Sequence, residues 1–139
     1  MPIRPENKLR YPPEWPEISA RIRKRAGNKC EECGVPNYEC GGRDPDGGWH
    51  KSRPIGEKLL RLEWPQPGDY ALCKGWPKRL RIVRIVLTVA HLNHQPEDCR
   101  DENLRCWCQR CHNRYDAAHR RAGTKARARA AAAIADMFA

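Results

Sequence analysis

Two pairs of cysteines, Cys30 and Cys33 in CEEC and Cys108 and Cys111 in CQRC, each leave two residues between their sulfurs. That spacing lets both thiolates of a pair reach one ion, and two such pairs complete the closed tetrahedral set of a structural Zn2+ site. Cys106 competes with Cys108, because CWCQRC offers three sulfurs, but only Cys108 keeps the two-residue spacing to Cys111. The linker of 74 residues between Cys33 and Cys108 means that an ion held by all four would pin the two ends of a domain together. Cys40, Cys73 and Cys99 have no close partner and read as small buried residues, with a second site through Cys40 and Cys73 as the lesser alternative.

Zinc accounts for cysteines and leaves the histidines unexplained. VAHLNHQPEDCRDENLRCWCQRCHNRYD (89–116) holds three of the five histidines, with Asn103 between His91 and His112. A strand end, a loop and a helix would each carry one polar group toward a common point. Hydrolysis of a phosphodiester needs such a set. A neutral imidazole takes a proton from water, a divalent cation polarises the phosphate and stabilises the leaving oxygen, and an amide braces the loop that aligns them. Asn103 is also well placed to cap the helix that follows it. Asp116 lies four residues after His112 and His119 seven, so all three share a helix face. Asp116 can equally pair with Arg120, and His119 and His50 read as solvated.

The elements that must position these groups are short. Residues 1–16 contain five prolines and read as an extended arm. Residues 18–26, ISARIRKRA, read as a basic helix stopped by Gly27 and Asn28. An irregular Gly- and Pro-rich insertion at about 41–69 follows, with a short strand near KLLRLEW. Residues 80–89, LRIVRIVLTV, read as one strand running into His91. Its hairpin partner is placed near YALCKG (70–75), across WPK, which would turn Cys73 toward the core. A helix is expected from near Cys108 to about Ala122, with Gly123 as its stop. The last segment, 124–139, reads as a separate helical tail whose Ile134, Met137 and Phe138 can dock on the body or on a second copy. The organisation expected is therefore an arm (1–16), a catalytic domain (17–123) and a tail (124–139), with α+β architecture.

AH (90–91), DENL (101–104) and CQRCHNRYD (108–116), with CEEC upstream, resemble the HNH endonucleases of the ββα-metal class, in particular small phage-encoded members with a zinc knuckle. The resemblance covers 30–33 and roughly 82–122, under half of the chain. It implies a small ββα-metal domain that hydrolyses DNA. His91 would be the general base, Asn103 the structural asparagine and His112 a ligand of a catalytic divalent metal, Mg2+ or another ion such as Mn2+. One position departs from the pattern: the residue before the base is usually an Asp or His that binds the metal, and here it is Ala90. Asp116 is the first replacement expected, and His94 the second.

Composition agrees with a polyanionic partner. Lys and Arg total 27 against 17 acidic residues, a formal charge of +10, concentrated in RIRKR (21–25), KRLRIVR (78–84) and HRRAGTKARAR (119–129). Arg105, Arg110 and Arg114 flank the histidines and are candidates for phosphate contacts. No stretch approaches the roughly 20 apolar residues of a membrane span, so a cytoplasmic protein, in a bacterial host and phage- or prophage-encoded, is the expectation. A homodimer or a phage packaging partner is compatible with this. The rival reading is a non-catalytic, zinc-stabilised nucleic-acid-binding protein, which Ala90 favours, and a zinc-pinned protein-interaction module is a third. No base-reading code is visible, so the expectation leaves sequence specificity open.

Overall fold

The computed structural model describes residues 3, 5–52, 70–73 and 75–138. The proline-rich start is not extended: a 3-10 turn spans Pro5–Arg10, and α1, Trp15–Arg25, begins three residues earlier than the sequence suggested. Pro16 sits in the first turn of α1, where its missing N–H costs nothing. Arg23, Lys24 and Arg25 fill the last turn, opposite the negative end of the helix dipole. Gly27 and Asn28 then take left-handed φ angles of 63° and 56°, and their amides close on the carbonyls of Lys24 and Arg23.

The insertion begins in order. β1 (Cys40–Arg43) and β2 (Trp49–Lys51) form an antiparallel hairpin with Gly42 opposite His50. A β-carbon on Gly42 would collide with the Leu80 side chain, so glycine lets two sheets close on each other there. The KLLRLEW strand expected within 53–69 lies outside the described residues.

The single strand expected over 80–89 is three. β3 (Tyr70–Leu72) pairs with β4 (Arg79–Arg81), β5 (Val83–Arg84) pairs with β1, and β6 (Leu87–His91) pairs with β7 (Leu104–Cys108). Burial shows the reason. Leu80 and Ile82 are buried in one phase, and Ile85 and Leu87 in the opposite phase. Because side chains alternate with a period of two, the one-residue slip hands the chain from one sheet to the next. YALCKG therefore partners only the first part of the stretch. The partner of β6 is LRCWC, which in the sequence leads straight into a helix. Leu104, Cys106 and Cys108 are fully buried along one face of β7, and Trp107 is covered on the other.

α2, Gln109–Met137, follows β7 directly and runs straight through Gly123. The expected stop and separate tail are thus corrected: an interior glycine costs about 1 kcal/mol relative to alanine, and the Ala, Arg and Lys residues around it favour the helix. Ile134, Met137 and Phe138 are 57%, 80% and 86% exposed, so their stripe docks on nothing among the described residues.

The main core joins Ile22 of α1, Val35, Ile85, Leu87, Leu104, Cys106 and Trp107, and a smaller cluster joins Cys73, Leu80 and Ile82 with Cys40 and Trp76. Cys73 is buried in that second cluster, bridged through its backbone to Ser52. The protein is a small α+β fold in which the β6–β7 hairpin packs against both α1 and the start of α2. No helix among the described residues is long and apolar enough to cross a membrane.

Candidate metal centre and histidine cleft

The sulfur atoms of Cys30, Cys33, Cys108 and Cys111 all lie within 4.8 Å of one another. Cys33 Sγ and Cys108 Sγ are 3.7 Å apart. Corners of a tetrahedron with metal–sulfur bonds of about 2.3 Å sit about 3.8 Å from each other, so the spacing suits zinc. Cys30 enters a turn closed by Gly34 N–H to Cys30 O at 2.8 Å and Cys30 N–H to Val35 O at 3.0 Å. Cys108 ends β7 and Cys111 lies in the first turn of α2, so helix and hairpin share the cluster. The Cys108 amide donates to Cys30 Sγ at 3.3 Å, and Arg43 Nη2 donates to Cys108 Sγ at 3.4 Å and to Cys33 Sγ at 3.6 Å.

These contacts suit thiolates. The hydrogen bond with Cys108 holds the Cys30 thiol well below its ordinary range, at about 4, and pushes Cys108 up, while burial pushes Cys111 up to about 11. A divalent cation bound among the four sulfurs would supply the positive charge that favours their thiolates. Cys106, the competing sulfur, is fully buried on β7 and pushed up to about 11 by burial; it lies outside the cluster. Glu31 braces the knuckle: its amide donates to Cys106 O, its carboxylate accepts from Cys106 N at 2.6 Å, and Arg25 pairs with it at 3.0 Å.

A cleft of about 670 Å³ opens beside this hairpin and contains His91, His94, His112 and Asp116 in its wall. His91 ends β6, 8% exposed, stacked on Trp15 at 5.0 Å with Tyr11 edge-on at 5.7 Å. Its Nε2 is 3.7 Å from Cys99 Sγ. The Cys99 thiol donates its proton to Pro96 O at 3.3 Å, and burial raises its pKa so that it stays a thiol. Burial lowers the His91 pKa, with Asp98 and Glu97 opposing more weakly, so the ring is held neutral.

Thr88 Oγ1 lies 2.8 Å from His112 Nδ1 and 3.3 Å from Trp107 O. His112 Nε2 lies 3.1 Å from Asp116 Oδ2, an ordinary imidazole–carboxylate hydrogen bond when Nε2 carries the proton. Burial lowers the His112 pKa, and Asp116 opposes it more weakly. The other Asp116 oxygen faces His94 Nδ1 at 3.5 Å. Asp116 does not pair with Arg120, whose guanidinium bonds Asn113 O at 2.7 Å. His94, Asp116 and His112 are brought together but not onto one point: among the described residues only the four cysteines place their ligand atoms all within 4.8 Å.

Asn103 is buried and spends its amide on the loop ahead of it. Oδ1 accepts from Asn93 N at 3.1 Å, while Nδ2 donates to Asn93 Oδ1 at 2.9 Å and to Asp98 O at 2.7 Å. It caps no long helix, because β7 stands between it and α2. His50, expected to be solvated, is half-buried, with Nε2 at 2.7 Å from Asp44 Oδ2 and its ring 5.4 Å from Trp76. His119 is exposed but stacks on His94, centroids 4.0 Å apart. Arg114 is committed to Glu32, and Arg105 to the carbonyls of Glu102 and Leu104.

The chain matches no family model, no curated protein and no solved structure. The cleft also uses residues that sequence reasoning passed over: Tyr11, Trp15, Thr88 and Cys99. None of them carried a local signal: Thr88 meets His112 from the neighbouring strand, and the value of Cys99 depends on a loop folding back.

Proposed function

We propose that this protein is a metal-dependent endonuclease of the HNH type that hydrolyses DNA phosphodiester bonds. The observation that carries the reading is the meeting of His91, His94, His112 and Asp116 in one cleft, with His91 buried and its pKa lowered, and His112 Nε2 3.1 Å from Asp116 Oδ2. A neutral imidazole suits a base, and an imidazole beside a carboxylate suits a cation site. His91, neutral and steered by Trp15 and Cys99, takes a proton from water as the water attacks phosphorus. His112 and Asp116, with His94 beyond them, would hold a divalent ion, Mg2+ or Mn2+, which when bound would supply Lewis-acid stabilisation of the phosphate and the departing oxygen. Asn103 holds the loop that carries His94 and Cys99. The four cysteines would hold a structural zinc that ties hairpin, helix and knuckle into one frame.

A second reading, a non-catalytic nucleic-acid-binding protein on the same frame, has one observation in its favour. Ala90 is 2% exposed and supplies only a methyl group where the resemblance expects a ligand. Plasmid nicking separates the two. Purified protein is assayed with Mg2+, with Mn2+ and with EDTA, alongside His91→Ala. Cleavage that requires both the metal and His91 is expected. Folded, DNA-binding protein that cuts in neither metal would leave the second reading.

A further inference from the structure

Five of the described arginines pair with carboxylates, and four others share one groove. Arg10, Arg21, Arg25, Arg100 and Arg114 each pair with a carboxylate, Glu97, Asp101, Glu31, Asp98 and Glu32 respectively. Arg43, Arg81, Arg84 and Arg110 pair with none among the described residues, and all four line one groove of about 790 Å³ between β4–β5 and the start of α2. No acidic residue lines it. Its base is firm, because Ile82 and Ile85 are 0% and 3% exposed.

The guanidinium groups are held there without being neutralised. Arg84 lies over the Tyr38 ring at 5.2 Å and Arg43 over Trp49 at 5.3 Å. Arg110 reaches the β1–β2 turn, where its guanidinium fills the space a side chain on Gly47 would take; Gly47 has φ +89°. Arg43 is partly used, since it donates to Gly47 O and to the cysteine sulfurs. Arg81, Arg84 and Arg110 remain exposed. Four like charges gathered in one groove repel one another, and the positive end of the long α2 dipole adds to the field. An anion is the missing partner.

We propose that this groove binds the phosphate backbone of duplex DNA at a place separate from the histidine cleft. The proposal rests on the endonuclease reading for the identity of the polyanion. Positions 109, 110 and 113 of α2 face the groove and positions 112, 116 and 119 face the cleft, so the two sites occupy neighbouring sides of one helix. A duplex held by the first presents a backbone to the second. Arginine suits the task, because its fork meets phosphate oxygens in pairs.

The test is fluorescence anisotropy of a labelled DNA duplex as a function of salt, without added divalent cation. It compares the intact protein with the triple variant Arg81→Gln, Arg84→Gln, Arg110→Gln, and with Arg114→Gln as a control. Because each phosphate contact contributes about 0.9 to the slope of log affinity against log salt, the triple variant should lose about 2.5 to 3 of that slope. The control should lose far less. Zinc content and circular dichroism should match the intact protein, since none of the three makes an ion pair. A slope unchanged in the triple variant overturns the groove, and so does intact protein that does not bind duplex DNA or binds only duplex RNA. Nicking activity is read in parallel: cleavage with an unchanged slope removes the groove and keeps the nuclease, and a reduced slope without cleavage does the reverse.

Discussion

Replacing Asn103 tests how the loop between β6 and β7 is held. The side chain makes three hydrogen bonds, two of them to backbone groups, Asn93 N–H and Asp98 C=O. Asn103→Ala removes all three and strands partly buried partners. With a net value near 1 kcal/mol for each bond, and water able to reach some of the freed groups, the expected loss is about 2 kcal/mol. In urea, at a fixed zinc concentration, that corresponds to a midpoint about 1 M lower for a slope near 2 kcal/mol per M. Asn103→Asp sharpens the test, because it is nearly the same shape. It keeps the acceptor for Asn93 N–H but turns an oxygen toward Asp98 O and Asn93 Oδ1, where Nδ2 now donates. The acid should therefore destabilise at least as much as alanine. Cleavage by Asn103→Ala should also fall below the folded fraction, since His94 and Cys99 ride on the loop. An aspartate variant as stable as the parent, or an alanine variant within about 0.5 kcal/mol of it, would refute the hydrogen-bond account.

Zinc removal should abolish cooperative melting, because the binding free energy of a structural site is folding free energy; Cys33→Ser, at the exposed corner, should lose the ion by elemental analysis. A folded Cys33→Ser protein that keeps stoichiometric zinc would contradict the four-sulfur site. Burial lowers the His91 pKa, so the neutral base should persist below the ordinary imidazole value of about 6.5 and the acid limb of cleavage should lie below that pH. The same shift makes its contribution to stability full above about 6.5 and lost as pH falls through the folded value; an NMR titration of His91 midway above 6.5 would oppose both. His94→Gly should change stability by less than about 1 kcal/mol, because relief at a left-handed φ offsets a freer unfolded chain. The same variant should need more metal for cleavage, and an unchanged metal titration would take His94 out of the site.

What the sequence revealed depended on whether the signal was local. The two-residue cysteine spacing is complete within each pair, and it led to the right four sulfurs. His112 and Asp116 share a helix face by arithmetic alone, and they meet. The strands were harder. LRIVRIVLTV looks uniform, yet the burial phase slips between Ile82 and Ile85, and only the tertiary partners decide where. LRCWC reads as a cysteine motif, so its alternation as a strand was hidden. Gly123 shows the opposite failure, a local stop signal overruled by strong helix formers on both sides. Tyr11 and Trp15 over His91 could not be read, since nothing local ties an N-terminal arm to a strand end more than 70 residues away.

On the endonuclease reading, the departure at Ala90 raises the question of where a third ligand would come from. Ala90 packs in the core beside Leu104 and Cys106 while its edge reaches the cleft wall. A carboxylate at that covered position would have to be desolvated, a penalty of several kcal/mol unless a cation is always bound. His94 offers another route. Its φ of +58° turns the chain just after β6, and its amide closes on His91 O at 3.2 Å. That turn brings Nδ1 to 3.5 Å from Asp116, with the ring backed by His119. A non-glycine residue in the left-handed region carries local strain of about 1 kcal/mol, and the Asn103 network is what makes the loop hold it. On the endonuclease reading, the strained turn would bring the absent ligand after a small closure onto Asp116 and His112: the strand end keeps its buried methyl group, and His94 would come from the loop.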